Sequence, residues 1–147
     1  MAVAERSADV VWTGDLASGK GIVTVRSGAF PAFPVTWFSR TERSDGMTSP
    51  EELIAAAHAS CFSMALAHEL AQADTPPDRL RVGAKATLDK TQAGLRITTI
   101  ELEVWGNVPG SDATKFAQAA EAAKKGCPVS NALTGVDIRL TAYFEEQ

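Results

Sequence analysis

The sequence predicts an α+β fold in the order β-β-β-α-β-β-α-β, and three observations carry that prediction. A long stretch rich in alanine and leucine begins at Ser49 with the chemistry of a helix start. Segments on either side of Gln92-Ala93-Gly94, and again near the C-terminus, alternate apolar and polar residues with period two, as strands do. Between them lies a second helical pattern with its apolar residues on one side. With 147 residues, 45% of them hydrophobic, the chain fits a single domain over residues 1–147 and can bury a core without disulfide staples.

Asp9 to Trp12 reads as a short strand. A glycine-rich turn from Gly14 to Gly21 leads into a second, Ile22 to Arg26, so the two form a hairpin. Phe30-Pro31-Ala32-Phe33-Pro34 is excluded from a central strand because proline cannot donate to the ladder. A third, shorter strand is expected over Val35 to Phe38. Ser49-Pro50-Glu51-Glu52 then combines an N-cap hydroxyl, proline at the first helical position and a glutamate three residues after the cap. Both carboxylates stand where the helix dipole favours negative charge. The helix should run to Ala73, where Asp74-Thr75-Pro76-Pro77 stops it. Alanine and leucine cover nearly its whole circumference, which predicts burial on most sides and a second subunit covering part of it.

Leu80, Val82, Ala84, Ala86 and Leu88 alternate with polar neighbours, Gln92-Ala93-Gly94 turns the chain, and Leu95 to Val104 returns as another strand. Ser111 to Lys125 is the second helix, with Phe116, Ala119, Ala120 and Ala123 on one side and Gly126 as its C-terminal cap. Val136, Ile138, Leu140, Ala142 and Phe144 alternate as the last strand.

The net charge of −4 gives no basis for a nucleic-acid or acidic-membrane partner. Leu53 to Leu70 is interrupted by His58, Ser60, Ser63, His68 and Glu69, so it reads as a buried helix and not a membrane span. Met1-Ala2-Val3-Ala4-Glu5-Arg6 has neither the basic start nor the apolar run of a secretory signal, and a cytoplasmic location is expected. In a reducing cytosol Cys61 and Cys127 are not expected as a structural disulfide; each is a small core residue or a chemical one. They stand 66 positions apart, which excludes a CxxC motif or a zinc knuckle but leaves their pairing open. A thiol buried in a helix has a raised pKa, so Cys61 needs a nearby cation to react. Cys127 follows Lys124-Lys125-Gly126 at a helix junction, a position suited to a moving thiol.

The stretch from Ser49 to Leu66, SPEELIAAAHASCFSMAL, closely resembles the signature of the OsmC/Ohr family, the osmotically inducible and organic-hydroperoxide-resistance proteins. Lys124-Lys125-Gly126-Cys127-Pro128-Val129-Ser130 is similar to that family's second cysteine motif. Gly19-Lys20-Gly21 and Phe38-Ser39-Arg40 fit the OsmC branch better than the Ohr branch. The resemblance implies an OsmC-like fold in which two long central helices are packed by six-stranded sheets in an intertwined homodimer. It implies a thiol-dependent peroxidase that reduces organic hydroperoxides to alcohols in oxidative and osmotic stress defence.

Residue by residue, Cys61 matches the peroxidatic cysteine, Cys127 the resolving one, Arg40 the active-site arginine and Glu51 the helix-start glutamate. Arg43, three residues beyond Arg40, is the competing match. Ser60 stands where the family more often has alanine. The implied chemistry is a Cys61 sulfenic acid that condenses with Cys127 to a disulfide. An external dithiol, of the lipoyl type by family precedent, then reduces it, with no metal or prosthetic cofactor. Ten helical residues separate Glu51 from Cys61 by about 15 Å, so the two cannot share a small site on one straight helix. Either the helix is broken or a second subunit supplies Glu51, and a family whose sites lie at a dimer interface favours the second. As a first-turn residue Glu51 could also serve the helix dipole alone.

Phe30, Phe33, Trp37, Phe62 and Met64 are candidates to line an apolar pocket selecting bulky peroxides, or else ordinary core. His58 and His68 have no partner at ligand spacing, and His58 is expected to be a packing or hydrogen-bonded residue. The reading from another functional class is a non-enzymatic protein of the OsmC fold that binds a ligand or senses redox state.

Overall fold

The structure is a computed structural model and describes residues 1–146. The chain forms two compact units, Met1–Leu53 and Ile54–Gln147. The first holds an antiparallel sheet in the order β1-β2-β3, with β1 at Ala8–Thr13, β2 at Lys20–Val25 and β3 at Phe33–Val35. Its hairpin turn is drawn tight by Asp15, whose Oδ1 accepts from Ser18 N–H at 2.8 Å while its carbonyl accepts from Gly19 N–H at 2.9 Å. A Cβ at Gly19 would lie 2.2 Å from Asp15 O, so only glycine fits there.

The third strand begins two residues earlier than expected and ends at Val35. Pro34 sits within it opposite Ile22, and the edge position tolerates its missing donor. Trp37 and Phe38 instead enter a short helix, α1 (Trp37–Thr41). The cause is a hydroxyl version of the capping box: Thr36 Oγ1 accepts from Ser39 N–H, and Ser39 Oγ from Thr36 N–H, each at 2.9 Å.

The long helix, α2, spans Pro50–Gln72 without a break. Ser49 Oγ accepts from Glu52 N–H at 3.1 Å, the predicted cap. At the other end Asp74 takes a left-handed φ of 58°, and Thr75 N–H closes on Leu70 O at 2.9 Å. Burial on most sides is not found within one chain. His58, Phe62, Leu66 and Leu70, spaced i, i+4, form a single buried stripe, whereas Met64 is 69% exposed. Alanine makes a helix apolar all round without the bulk that marks a core face. By length and composition alone α2 could cross a membrane, but its stripe is committed to a protein core.

That core belongs to the second unit. Strands β4 (Arg79–Thr91) and β5 (Gly94–Asn107) form an antiparallel hairpin in which Thr91 faces Gly94 across the predicted turn. Strand β6 (Asp137–Phe144) joins β5 in parallel, after a crossover through α3 (Ala113–Gly126) and α4 (Pro128–Ala132). Phe62, Leu66 and Leu70 of α2 meet Ile100, Leu102 and Val104 of β5 and Phe116, Ala120 and Ala123 of α3. Phe116 packs against β5 at Gly106, where a Cβ would come within 2.3 Å of its Cζ.

Helix α3 starts two residues later than its pattern suggests because Asp112 is the N-cap, accepting from Lys115 N–H at 2.8 Å. Gly126 is not the cap but the last helical residue. Cys127 caps α3 and begins α4 at once, with Pro128 in the first turn.

Candidate active site

Each unit brings together a pair of the residues singled out in the sequence. In the first unit, α1 carries Arg40 and the start of α2 carries Glu51. Arg40 Nε donates to both carboxylate oxygens at 3.0 and 3.2 Å, and its terminal nitrogen donates to Oε1 at 2.8 Å. The Glu51 side chain is 9% exposed and that of Arg40 31%, so the guanidinium is held rigidly with part of its surface still open. Ser39 donates to Thr48 O at 2.9 Å, fixing the loop that sets this pair. Arg43 takes no part; its guanidinium lies over the Phe38 ring. Arg40 also borders a concavity of about 460 Å³ walled by Trp12, Val23, Trp37 and Leu53.

In the second unit, Cys61 of α2 and Cys127 at the α3–α4 junction are both free thiols, Cys61 half-buried and Cys127 fully buried. Their sulfurs stand within hydrogen-bonding reach of each other, so their ionisations are linked. Burial pushes the Cys61 thiol up, the hydrogen bond to Cys127 adds to this, and the Val129 amide opposes it. Burial also weighs against a Cys127 thiolate. The hydrogen bond from Cys61, the amide and hydroxyl of Ser130 and the Val129 amide together outweigh it, and the Cys127 thiol is lowered. Among the described residues, the groups that shift the Cys61 thiol are Cys127 and the Val129 amide, both of its own unit.

Cys127 is less free than a junction position suggests: its N–H donates to Ala123 O at 2.9 Å and its carbonyl accepts from Asn131 N–H at 3.0 Å. Cys61 opens into a pocket of about 480 Å³ bordered by Ser60, Met64, His68, Gly126 and Pro128. The Ser60 hydroxyl does not face the sulfur; it bonds back to Ala56 O at 2.7 Å. Of the aromatic and methionine candidates, Met64 lines this pocket and Trp37 the concavity beside Arg40, while Phe62 is core and Phe30 packs at a tilt on Phe33.

His58, expected as a packing or hydrogen-bonded residue, is both. It is fully buried, and its Nε2 lies 2.7 Å from Ser130 Oγ. Ser130 drew no attention in the sequence beyond its place in the second cysteine motif, and nothing in residue type alone joins it to a histidine 72 positions away. Among the described residues, no cluster of three or more histidine, cysteine, aspartate or glutamate side chains could hold a metal ion.

The resemblance seen in the sequence extends to known proteins. Residues 43–141 match the family model described as OsmC-like protein. The chain is 46% identical over 122 residues to the Escherichia coli protein named Peroxiredoxin OsmC, covering 83% of this chain and 85% of that one. It is 33% identical over 101 residues to an organic hydroperoxide resistance protein of Xanthomonas axonopodis pv. citri, covering 64% of this chain and 66% of that one. Among solved structures, an organic hydroperoxide resistance protein from Elizabethkingia anophelis superposes with a TM-score of 0.79 at 24% identity, covering 98% of this chain and 99% of that one. One from Legionella pneumophila does so at 0.77 and 23%, covering 97% and 99%. These two likenesses speak to the fold, while the extent of the family match and the identity to the Escherichia coli protein speak to descent. The chain belongs to the OsmC-like protein family.

Proposed function

We propose that this protein is a cysteine-based peroxidase that reduces organic hydroperoxides to alcohols in cytoplasmic oxidative and osmotic stress defence. The observation that carries the reading is the meeting of two thiols 66 positions apart, in a chain 46% identical to a peroxiredoxin, with one of them open to a largely apolar pocket.

Cys61 is the attacking thiol because it borders the pocket, whereas Cys127 is sealed. Its thiolate takes the distal peroxide oxygen: the S–O bond forms, the O–O bond breaks, and the alkoxide leaves and is protonated to alcohol. Cys127 then attacks the Cys61 sulfenic acid, forming the disulfide and releasing water. An external dithiol reduces the disulfide by exchange, and the family resemblance implies a lipoyl-type reductant.

Arg40 stabilises the Cys61 thiolate and the departing alkoxide, and Glu51 holds Arg40 in place. In this reading the two arrive together from a second subunit of a homodimer. Three features support it: the pair is preassembled within one chain, burial and the neighbouring Cys127 disfavour a Cys61 thiolate, and one face of α2 is left exposed.

The first test adds one equivalent of tert-butyl hydroperoxide and counts free thiols. Wild type should lose both and release alcohol, Cys61→Ser should release none, and retention of both thiols in wild type excludes the enzyme, leaving a ligand-binding or sensing role. The second test mixes Glu51→Ala and Cys61→Ser chains under conditions that exchange subunits. A site shared between chains recovers activity in the mixture, and a site confined to one chain recovers none.

A further inference from the structure

The imidazole of His58 lies at the N-terminal end of the α2 core stripe, fully buried, with one ring nitrogen bonded and the other not. Nε2 is 2.7 Å from Ser130 Oγ, and Nδ1 has no partner among the described residues. A buried orphan N–H is rarer and costlier than an acceptor left without a donor. The hydrogen therefore belongs on Nε2, with the bare lone pair on Nδ1. The imidazolium would force a second N–H into a place with no acceptor, and burial accordingly holds the His58 pKa below its ordinary value of 6.5.

This tautomer has a directional consequence. Ser130 Oγ is already an acceptor from His58, so its own hydrogen is free to point elsewhere. Ser60 and Ser63 spend theirs on the carbonyls one turn back, at 2.7 Å each. Ser130 makes no such bond among the described residues, and it stands in the first turn of α4, the helix that Cys127 caps, where its hydroxyl acts on the Cys127 thiol. A donor so placed favours thiolate over thiol.

We propose that His58 and Ser130 form a buried relay, Nε2–H to Oγ and O–H to sulfur, that positions Cys127 as an anion for disulfide closure. The relay rests on the reading of Cys127 as the resolving thiol. In the step it serves, the Cys127 electron pair forms the S–S bond and the S–O bond of the Cys61 sulfenic acid breaks. Hydroxide leaves and takes up, as water, the proton that Cys127 gave up. His58 and Ser130 touch neither the peroxide nor the oxygen that leaves, so they are positioning residues. The titratable groups facing Cys127 are Cys61 on α2 and, one hydroxyl removed, His58.

The experiment has two arms. In a Cys61→Ser background, the Cys127 thiolate is titrated by its ultraviolet absorbance, alone and with Ser130→Ala, His58→Leu or His58→Gln. In chains that retain Cys61, the loss of trapped sulfenic acid after one equivalent of tert-butyl hydroperoxide gives the closure rate. Ser130→Ala and His58→Leu should raise the midpoint by about one pH unit and slow closure about tenfold at neutral pH, the effect of one hydrogen bond to a charged acceptor. His58→Gln, which keeps an N–H near the Nε2 position, should recover most of both. An unmoved midpoint in folded Ser130→Ala overturns the relay, and so does glutamine behaving no better than leucine. If wild type never closes a disulfide, the peroxidase reading fails instead, and the titration arm still decides the relay.

Discussion

Replacing Glu51 by glutamine tests whether the buried carboxylate organises the guanidinium or merely faces a helix dipole. The change is nearly isosteric and spares the helix start. Glutamine keeps one carbonyl to accept from Arg40, where Oε1 now takes contacts at 2.8 and 3.0 Å, but it turns an NH₂ toward the guanidinium in place of Oε2, now at 3.2 Å. It also leaves a positive charge that is only 31% exposed without its counter-ion. Breaking a fully buried pair costs 3–5 kcal/mol; discounted for the solvent that reaches Arg40, the loss should be about 2 kcal/mol. For a chain of this length that lowers the melting temperature by roughly 4–8 °C. If Arg40 stabilises the reacting sulfur and oxygen, kcat/KM for tert-butyl hydroperoxide with a dithiol should fall between about 10- and 100-fold, the value of one misaligned charge-assisted hydrogen bond. Glu52→Gln is the control. Its side chain is bonded to Thr48 Oγ1 at 2.8 Å and has no contact with Arg40, so it should change stability by no more than about 0.5 kcal/mol and leave kcat/KM unaltered. A Glu51→Gln enzyme with wild-type kcat/KM and a lowered melting temperature would refute the catalytic half of the argument, since the pair would then be structural only.

Two further outcomes follow from the second unit. Gly106→Ala drives a methyl to 2.3 Å from the Phe116 ring and should cost about 3 kcal/mol, read as a lower urea midpoint at unchanged m-value; an unshifted midpoint means that Phe116 moves freely. His58 gives a signed pH dependence. Its folded pKa lies below the ordinary 6.5, so above that value neither state binds the proton, and as pH falls below it the unfolded chain binds first and stability is lost. The wild-type urea midpoint should therefore drop below about pH 6.5 more steeply than that of His58→Gln, and parallel curves would remove His58 as the cause.

The sequence made most of this architecture legible, and the parts it concealed share a physical origin. Ser49-Pro50-Glu51-Glu52 announced α2 because caps are local, and the β4–β5 hairpin showed itself because its turn residues and alternation are local too. Both short helices were hidden. Each has five residues, too few for a period, and each depends on a device the pattern does not advertise: serine standing in for glutamate in the capping box of α1, and a cysteine shared as a cap between α3 and α4. The exposed face of α2 was concealed because alanine reads the same in a core and at an open surface. Arg40 could be separated from Arg43 only by tertiary geometry, since both lie within reach of Glu51 along the chain. The His58–Ser130 contact joins residues 72 positions apart by one hydrogen bond, and a single residue of each type leaves no pattern to read.

The linked ionisation of the two thiols gives the proposed assembly a chemical task. Within its own unit, burial and the neighbouring Cys127 push the Cys61 thiol up, whereas the Cys127 thiol is lowered. A raised pKa on the open sulfur is the reverse of what attack on a peroxide requires. A cation beside a thiol favours its thiolate, and placed next to Cys61 and not Cys127 it acts against both the burial and the neighbouring thiol. The guanidinium of Arg40 is held by Glu51 with part of its surface unused, as a group intended for a further anion would be. If it comes from a second subunit, docking decides which sulfur carries the charge. The Ser130 hydroxyl then ensures that, once Cys61 has become a sulfenic acid and can no longer compete for the negative charge, the anion returns to Cys127, where closure needs it.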